Sequence, residues 1–265
     1  MVDINDLFSL KDKTVIITGG AGHLGHAMSE ALAASGANLF ILGHNSEKNM
    51  KFAKDIKTNY KNDICLAIQY DLDDDDSIKR AIGQVMATTG KIDVLVNNSA
   101  YSCSKPLHEY EYDEWQKGID GTLNGVFRMT KQVLPVMMRQ NSGSIINIGS
   151  MYGMVAPNME IYGDSGQNNP ANYGAGKAAI IQLTRYIASV YAKYGIRANA
   201  ISPGPFPNPN VQQDRRFVGE LCKKNPMGCI GQPEDLQGIV IYLASDASKY
   251  TNGQNIAVDG GWTAW

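Results

Sequence analysis

The chain reads as an α/β protein built on a parallel sheet, and three features support this together. Strand-like apolar runs alternate with helical patterns from one end to the other, and the first run ends in a glycine-rich turn that opens straight into a helix. The strand-like runs are also apolar throughout instead of alternating between polar and apolar. Alternation of strands and helices argues for parallel strands joined by right-handed helical crossovers. Unbroken apolar strands suit a sheet covered by helices on both faces.

The elements follow in order. A strand at 14–18 leads to a helix over about 24–35, a strand at 37–42 to a helix over about 46–59, and a strand at 64–69 to a helix over about 76–88. The run Asp73 to Asp76 reads as the start of that last helix, where carboxylates accept from free amides and suit the dipole; metal binding is the sharper alternative. After a strand at 92–96, a long helix is expected over about 112–139, interrupted by Pro135 near its end. A strand at 144–148, a helix over 171–193, a strand near 197–201, a proline-rich loop, a helix near 233–245 and a strand near 255–258 complete the series. No repeat, low-complexity tract or linker divides it, so residues 1–265 read as a single domain.

Composition narrows the function classes. With 24 Lys+Arg against 26 Asp+Glu, a net charge of −2 and no basic block, nucleic acid and anionic membrane are poor partners. The first residues lack the cationic and apolar regions of a signal peptide, and no apolar run approaches the roughly 18 residues of a membrane span. A cytoplasmic protein is the expectation. Cys65, Cys103, Cys222 and Cys229 show no Cys-x-x-Cys spacing, so reduced thiols are expected and neither a disulfide framework nor a metal site.

Two motifs carry chemistry. Thr18-Gly-Gly-Ala-Gly-His-Leu-Gly25 lets the backbone turn tightly and approach a pyrophosphate at the positive end of the following helix. In Tyr173-Gly-Ala-Gly-Lys177, the phenol and the ammonium share one helix face at i and i+4. A lysine cation about 4 Å away is worth roughly 4 kcal/mol at an effective dielectric of about 20. That is about three pKa units, enough to bring Tyr173 to around 7 as an acid/base. Ser150, in the segment Ile145-Ile-Asn-Ile-Gly-Ser150, can hold the oxygen of an alcohol or carbonyl while Tyr173 exchanges a proton with it.

With these residues in order, together with Asp71, Asn97-Asn-Ser-Ala100 and Pro203-Gly204, the chain resembles the short-chain dehydrogenase/reductase family over nearly its whole length. The resemblance implies a Rossmann-type, doubly wound, seven-stranded parallel sheet with helices on both faces, and a nicotinamide cofactor. It implies that Ser150 holds the substrate oxygen, that Tyr173 is the acid/base and that Lys177 clamps the cofactor ribose. The cofactor is expected to be met by Gly19, Gly22, His23, Leu24 and Gly25 at the pyrophosphate, by Asp71 and Leu72 at the adenine, by Asn98 and Ala100 along its length, and by Pro203 and Phe206 at the nicotinamide end. A more detailed likeness is to members acting on sugars and sugar acids, such as gluconate 5-dehydrogenase. A homotetramer is implied as well, with the long helices pairing across one interface; Trp262 and Trp265 belong either to the C-terminal interface or to the core.

The chain departs from the family pattern at two positions. His23 replaces the usual middle glycine of the turn. Thr122 occupies the catalytic position usually held by Asn, and Asn124 cannot substitute for it, because residues two apart point to different sides of a helix. A carboxylate about 20 residues after the turn would bind the ribose 2′-hydroxyl of NAD. Here the second strand ends Leu42-Gly43-His44-Asn45-Ser46 without an acid, so NADP is expected over NAD, with His44 and Asn45 beside it.

Ser150 and Tyr173 are separated by an extended segment, 151–172, longer than a minimal site requires. Asn158, Glu160, Asp164, Ser165, Gln167, Asn168, Asn169 and Asn172 offer donors and acceptors for hydroxyls. Met151, Tyr152, Met154 and Tyr162 can shield the site. Ser150, Tyr152, Tyr162 and Tyr173 are therefore the candidate substrate residues. The expected activity is hydride transfer to or from a secondary alcohol or ketone of a sugar, sugar acid or polyol. A 3-oxoacyl thioester reductase is the alternative enzyme, and a catalytically silent dinucleotide-binding redox sensor is the alternative outside catalysis.

Overall fold

Seven apolar segments pair in parallel into one sheet: β1 (Thr14–Thr18), β2 (Asn38–Gly43), β3 (Cys65–Gln69), β4 (Val94–Asn97), β5 (Gly143–Ile148), β6 (Ile196–Pro203) and β7 (Asn255–Val258). Their order across the sheet is β3-β2-β1-β4-β5-β6-β7. The order reverses between β1 and β4, and a doubly wound sheet binds its ligand in the crevice outside the strands' carboxyl ends at that point. This computed structural model describes residues 3–264 apart from 164, 166 and 167. Asp164, Gln167 and Trp265 thus lie outside the described residues.

Nine α-helices occur among the described residues: α1 (Ile4–Phe8), α2 (His23–Ala34), α3 (Ser46–Tyr60), α4 (Asp75–Thr89), α5 (Tyr112–Ile119), α6 (Gly125–Gln140), α7 (Ala171–Tyr191), α8 (Arg215–Lys224) and α9 (Gln237–Ala244). Successive strand residues face opposite sides of a sheet, and β1 shows the consequence. Val15 and Ile17 join Met28 and Leu32 of α2 and Val240 and Leu243 of α9. Ile16, between them, joins Ile78 of α4, Met129 and Val133 of α6 and Ile187 of α7. Each such buried aliphatic side chain stabilises the fold by about 1.5–3 kcal/mol relative to an exposed one.

Several expectations need correction. Not every strand is covered on both faces: at the edges, Leu66 of β3 and Ala257 of β7 are exposed. The long helix is broken by a π-turn at Asp120–Asn124, while Pro135 lies inside α6 without ending it. Pro135 is on the exposed face, where solvent can meet the carbonyl its missing N–H leaves free. The proline-rich loop also holds a helix, α8, whose N-cap Asp214 accepts from Phe217 N at 3.0 Å. Asp74 does cap α4, accepting from Asp76 N at 2.8 Å. Asp73 instead pairs with Arg128 at 3.1 Å. No helix among the described residues is long and apolar enough to cross a membrane.

Candidate active site

The glycine turn follows β1 and its geometry explains which glycines matter. Gly19 has φ +62°, which favours glycine, and its carbonyl accepts from Gly22 N at 2.9 Å. A Cβ at Gly25 would collide with that same carbonyl. His23, where the family writes glycine, is the first residue of α2 and does not have positive φ, so a side chain fits there without backbone strain. Gly22 is the N-cap and carries no side chain to cap the helix. The first amides of α2 are therefore available to an anion. His23 Nε2 is buried without a partner among the described residues, an orphan polar atom on the first residue of α2.

β4 pins this turn from across the switch point. Asn98 Nδ2 donates to the carbonyls of Thr18 and Gly19, each at 3.0 Å. Thr18 Oγ1 accepts from the backbone N–H groups of Asn98 and Ser99, each at 2.9 Å. The Asn98 amide thus holds the turn while the residue lines the cleft above it.

That cleft has a volume of about 650 Å³. Gly19, Gly22, His23 and Leu24 line it together with His44, Leu72, Asn98 and Ala100. Tyr173, Lys177 and Phe206 line the same cleft. Four expected cofactor residues are placed elsewhere. Gly25 lies beneath the turn, Pro203 ends β6 without lining the cleft, and Asn45 uses its side chain to cap α3, accepting from Lys48 N at 2.9 Å. Asp71 lines a neighbouring recess that shares His44 and Tyr70 with the main cleft and also contains Arg80.

Sequence reasoning missed Tyr70, Ser99, Tyr101, Ile148 and Asn208, which also line the cleft. Tyr70 reads as one more apolar residue after a strand, yet its hydroxyl donates to Ser99 Oγ at 2.8 Å. Only the strand order, which places the ends of β3 and β4 around one crevice, reveals that position.

At the catalytic end, Ser150 follows β5 in extended backbone, 6% exposed, with its hydroxyl near enough to Tyr173 to lower that phenol's pKa. Tyr173 and Lys177 lie on the first turns of α7, with Lys177 Nζ 5.5 Å from the centre of the Tyr173 ring. Lys177 Nζ donates to Ile148 O at 2.6 Å.

The electrostatics correct the expected tyrosine near neutrality. Burial raises the Tyr173 pKa above its ordinary value, and the Ser150 hydrogen bond only partly lowers it. Burial also lowers Lys177 to about 8. A phenolate in this enclosure loses more hydration than its neighbours restore, so in the cofactor-free protein Tyr173 keeps its proton at neutral pH. Thr122 lies in the π-turn, fully buried behind α7 against Gly176, and donates to Gly118 O at 2.6 Å. Its hydroxyl proton is held by the helix and does not reach the cleft.

The described start of the extended segment packs beside Ser150. Tyr152 N donates to Ser150 Oγ at 3.1 Å, and the Tyr152 and Tyr162 hydroxyls meet at 2.8 Å. Ile161 and Tyr162 pack with Phe217 and Leu221 of α8, and Trp262 packs against the same cluster, so Trp262 serves a small core of this chain. Among the described residues no group of His, Cys, Asp and Glu is arranged to hold a metal ion.

Residues 19–263 match the sequence family described as enoyl-(acyl carrier protein) reductase. The chain is 34% identical over 253 residues to the 3-oxoacyl-acyl-carrier-protein reductase FabG of Thermotoga maritima, covering 95% of this chain and 98% of that one. It is 33% identical over 270 residues to the sorbose reductase SOU1 of Candida albicans, covering 98% and 90%. Among solved structures, a gluconate 5-dehydrogenase from Burkholderia cenocepacia in complex with NADP and tartrate superposes with a TM-score of 0.89 at 32% identity, covering 99% of this chain and all of that one.

Proposed function

The chain belongs to the short-chain dehydrogenase/reductase family of oxidoreductases acting on CH–OH groups, and on that premise we propose that it interconverts a small polyhydroxylated secondary alcohol and its ketone with NADP. The observation that carries the reading is one cleft lined by the glycine turn and uncapped start of α2 together with Tyr173 and Lys177. The residues fit a dinucleotide: free helix amides and His23 Nε2 suit a pyrophosphate, and Lys177 can reach a ribose hydroxyl. When bound, the nicotinamide carries the hydride.

The chain's own residues do the rest. Ser150 holds the substrate oxygen in hydrogen-bond reach of Tyr173. In reduction the carbonyl carbon gains the hydride, and Tyr173 gives its proton to the oxygen; in oxidation the proton returns to Tyr173. A phenol kept protonated by burial is ready for the reductive direction, and Lys177 beside it steadies the phenolate left behind.

NADP is favoured over NAD because β2 ends without a carboxylate, and His44 opens onto the recess that holds Arg80. The solved gluconate 5-dehydrogenase with NADP supports the same choice. For the substrate, the polar segment before Tyr173 and the likeness to sorbose reductase favour a ketose, polyol or sugar acid. The second reading, a 3-oxoacyl thioester reductase, is favoured by the Thermotoga relative. A homotetramer is proposed on the exposed apolar side chains Phe127 of α6 and Tyr186 and Val190 of α7.

The deciding experiment follows NADPH absorbance with a panel of ketoses, sugar acids, polyols and acetoacetyl-CoA, for the wild type and Tyr173→Phe. Turnover of a polyhydroxylated compound is expected, abolished in the variant while NADPH fluorescence titration still shows binding. Near-normal turnover by Tyr173→Phe rejects the acid/base role, and turnover of acetoacetyl-CoA alone selects the second reading.

A further inference from the structure

Tyr152 stands two residues after Ser150, and its backbone N–H donates to the Ser150 hydroxyl at 3.1 Å, which fixes how the chain leaves the catalytic strand end. Its own hydroxyl lies 2.8 Å from that of Tyr162. Tyr162 comes from the extended segment, is 8% exposed, and rests its ring on Phe217 of α8 with centroids 5.4 Å apart. The pair is thus held from two sides by elements far apart in sequence. Both phenols are close enough to Tyr173 for a charge there to oppose their own ionisation, and burial raises the pKa of each. They are neutral hydrogen-bonding groups beside the acid/base.

Two phenols bring two protons, and one is spent in their mutual hydrogen bond. The other remains as a donor, next to unused lone pairs, on a pair of which Tyr162 is buried and Tyr152 half-buried, where an unmade hydrogen bond is costly. A hydroxyl, itself one donor with acceptor lone pairs, complements that arrangement. A methylene leaves it half satisfied, and the pair brings no positive charge for a carboxylate.

We propose that the Tyr152–Tyr162 pair reads the hydroxyl on the carbon next to the reacting carbon, so that the site selects vicinal diols and α-hydroxy ketones over isolated alcohols and ketones. This rests on the oxidoreductase reading above and names its substrate class. Tyr152 touches the substrate, and Tyr162 is a positioning residue that aims it.

The test compares oxidation of cis-1,2-cyclohexanediol and cyclohexanol, with NADP and with NAD, by the wild type, Tyr152→Phe and Tyr162→Phe. The wild type is expected to favour the diol by about tenfold or more in kcat/KM, as a site built to bond a hydroxyl rejects the analogue lacking it. Tyr152→Phe should bring the ratio close to one, chiefly through KM for the diol. Tyr162→Phe keeps the ring on Phe217 and should lower the ratio less. A purely structural role would depress both substrates alike and leave the ratio standing. A wild-type ratio near one, or a ratio unchanged in the folded variants, overturns the inference while sparing the oxidoreductase reading. No oxidation of either alcohol with either cofactor overturns this inference, and the panel above then decides the oxidoreductase reading separately. If Tyr152→Phe does not fold, the ratio in Tyr162→Phe decides.

Discussion

Lys177 is a lysine whose ammonium has been taken almost wholly out of water, and it donates a hydrogen bond to Ile148 O. Burial moves its pKa from the ordinary 10.5 to about 8. Between these values the unfolded chain holds a proton that the folded protein has released, so stability rises with pH across that window. The contribution is complete above about 10.5 and lost as pH falls through about 8. At pH 7 the cost of keeping the cation buried is on the order of 3 kcal/mol, at about 1.4 kcal/mol per pKa unit. Lys177→Met removes that cost but leaves Ile148 O without its donor, a loss of about 1–2 kcal/mol. The cofactor-free variant should therefore be more stable than wild type by about 1–2 kcal/mol at pH 7. The difference should vanish or reverse near pH 10.5. Urea unfolding at the two pH values checks this, and a difference independent of pH would contradict the assignment. Tyr173 teaches the same lesson, since spacing put it beside a cation but burial set the direction of its pKa.

The element that most distinguishes this site is the segment between β5 and α7. Its Ile161 and Tyr162 anchor on Phe217 and Leu221 of α8, so α8 helps to hold these two residues in place. Replacing residues 157–168 by a short Gly-Ser connection is expected to raise KM for a sugar or polyol at least about tenfold, roughly 1.4 kcal/mol of binding. Unchanged kinetics in a folded, NADPH-binding variant would rule out a substrate-covering role. A second close approach lies in the seam where the π-turn meets α7. A Cβ on Gly176 would collide with Thr122 Oγ1, and one on Gly118 with the Asn172 amide. Gly176→Ala is expected to lower stability by about 1–3 kcal/mol, the usual cost of overpacking, measured by urea midpoint. The sequence reading placed Thr122 on a continuous helix near the chemistry. A π-turn depends on packing against α7, and local helix propensity does not report it.

At the scale of the whole molecule, exposed apolar side chains on α6 and α7 are the feature that a monomer leaves unexplained. Phe127 is 51% exposed, Tyr186 57% and Val190 39%. Paired long helices of neighbouring subunits would cover them. Sedimentation of the wild type should give about four times the chain mass of 28.8 kDa, and the double variant Phe127→Glu/Tyr186→Glu should sediment as a smaller species, because burying unpaired carboxylates is costly. A wild-type monomer would refute the assembly.

Much of this molecule was legible from local pattern. The strand and helix alternation appears in the structure with most boundaries shifted by one or two residues, because the spacing of apolar residues is a local property. The glycine turn was legible for the same reason: the close approach of Gly25 to the Gly19 carbonyl involves residues six apart in the chain. The i, i+4 spacing likewise brought Tyr173 and Lys177 to one helix face, with the ring and the ammonium as neighbours. Tertiary structure alone decided the rest. Tyr70 went to the cleft wall, its hydroxyl on Ser99. The Tyr162 ring found Phe217, and Lys177 found Ile148 O. These outcomes depend on segments tens of residues apart meeting in space and on how much water they exclude. The energy of a charge or a hydrogen bond is set by that exclusion, which no spacing of residues along a chain encodes.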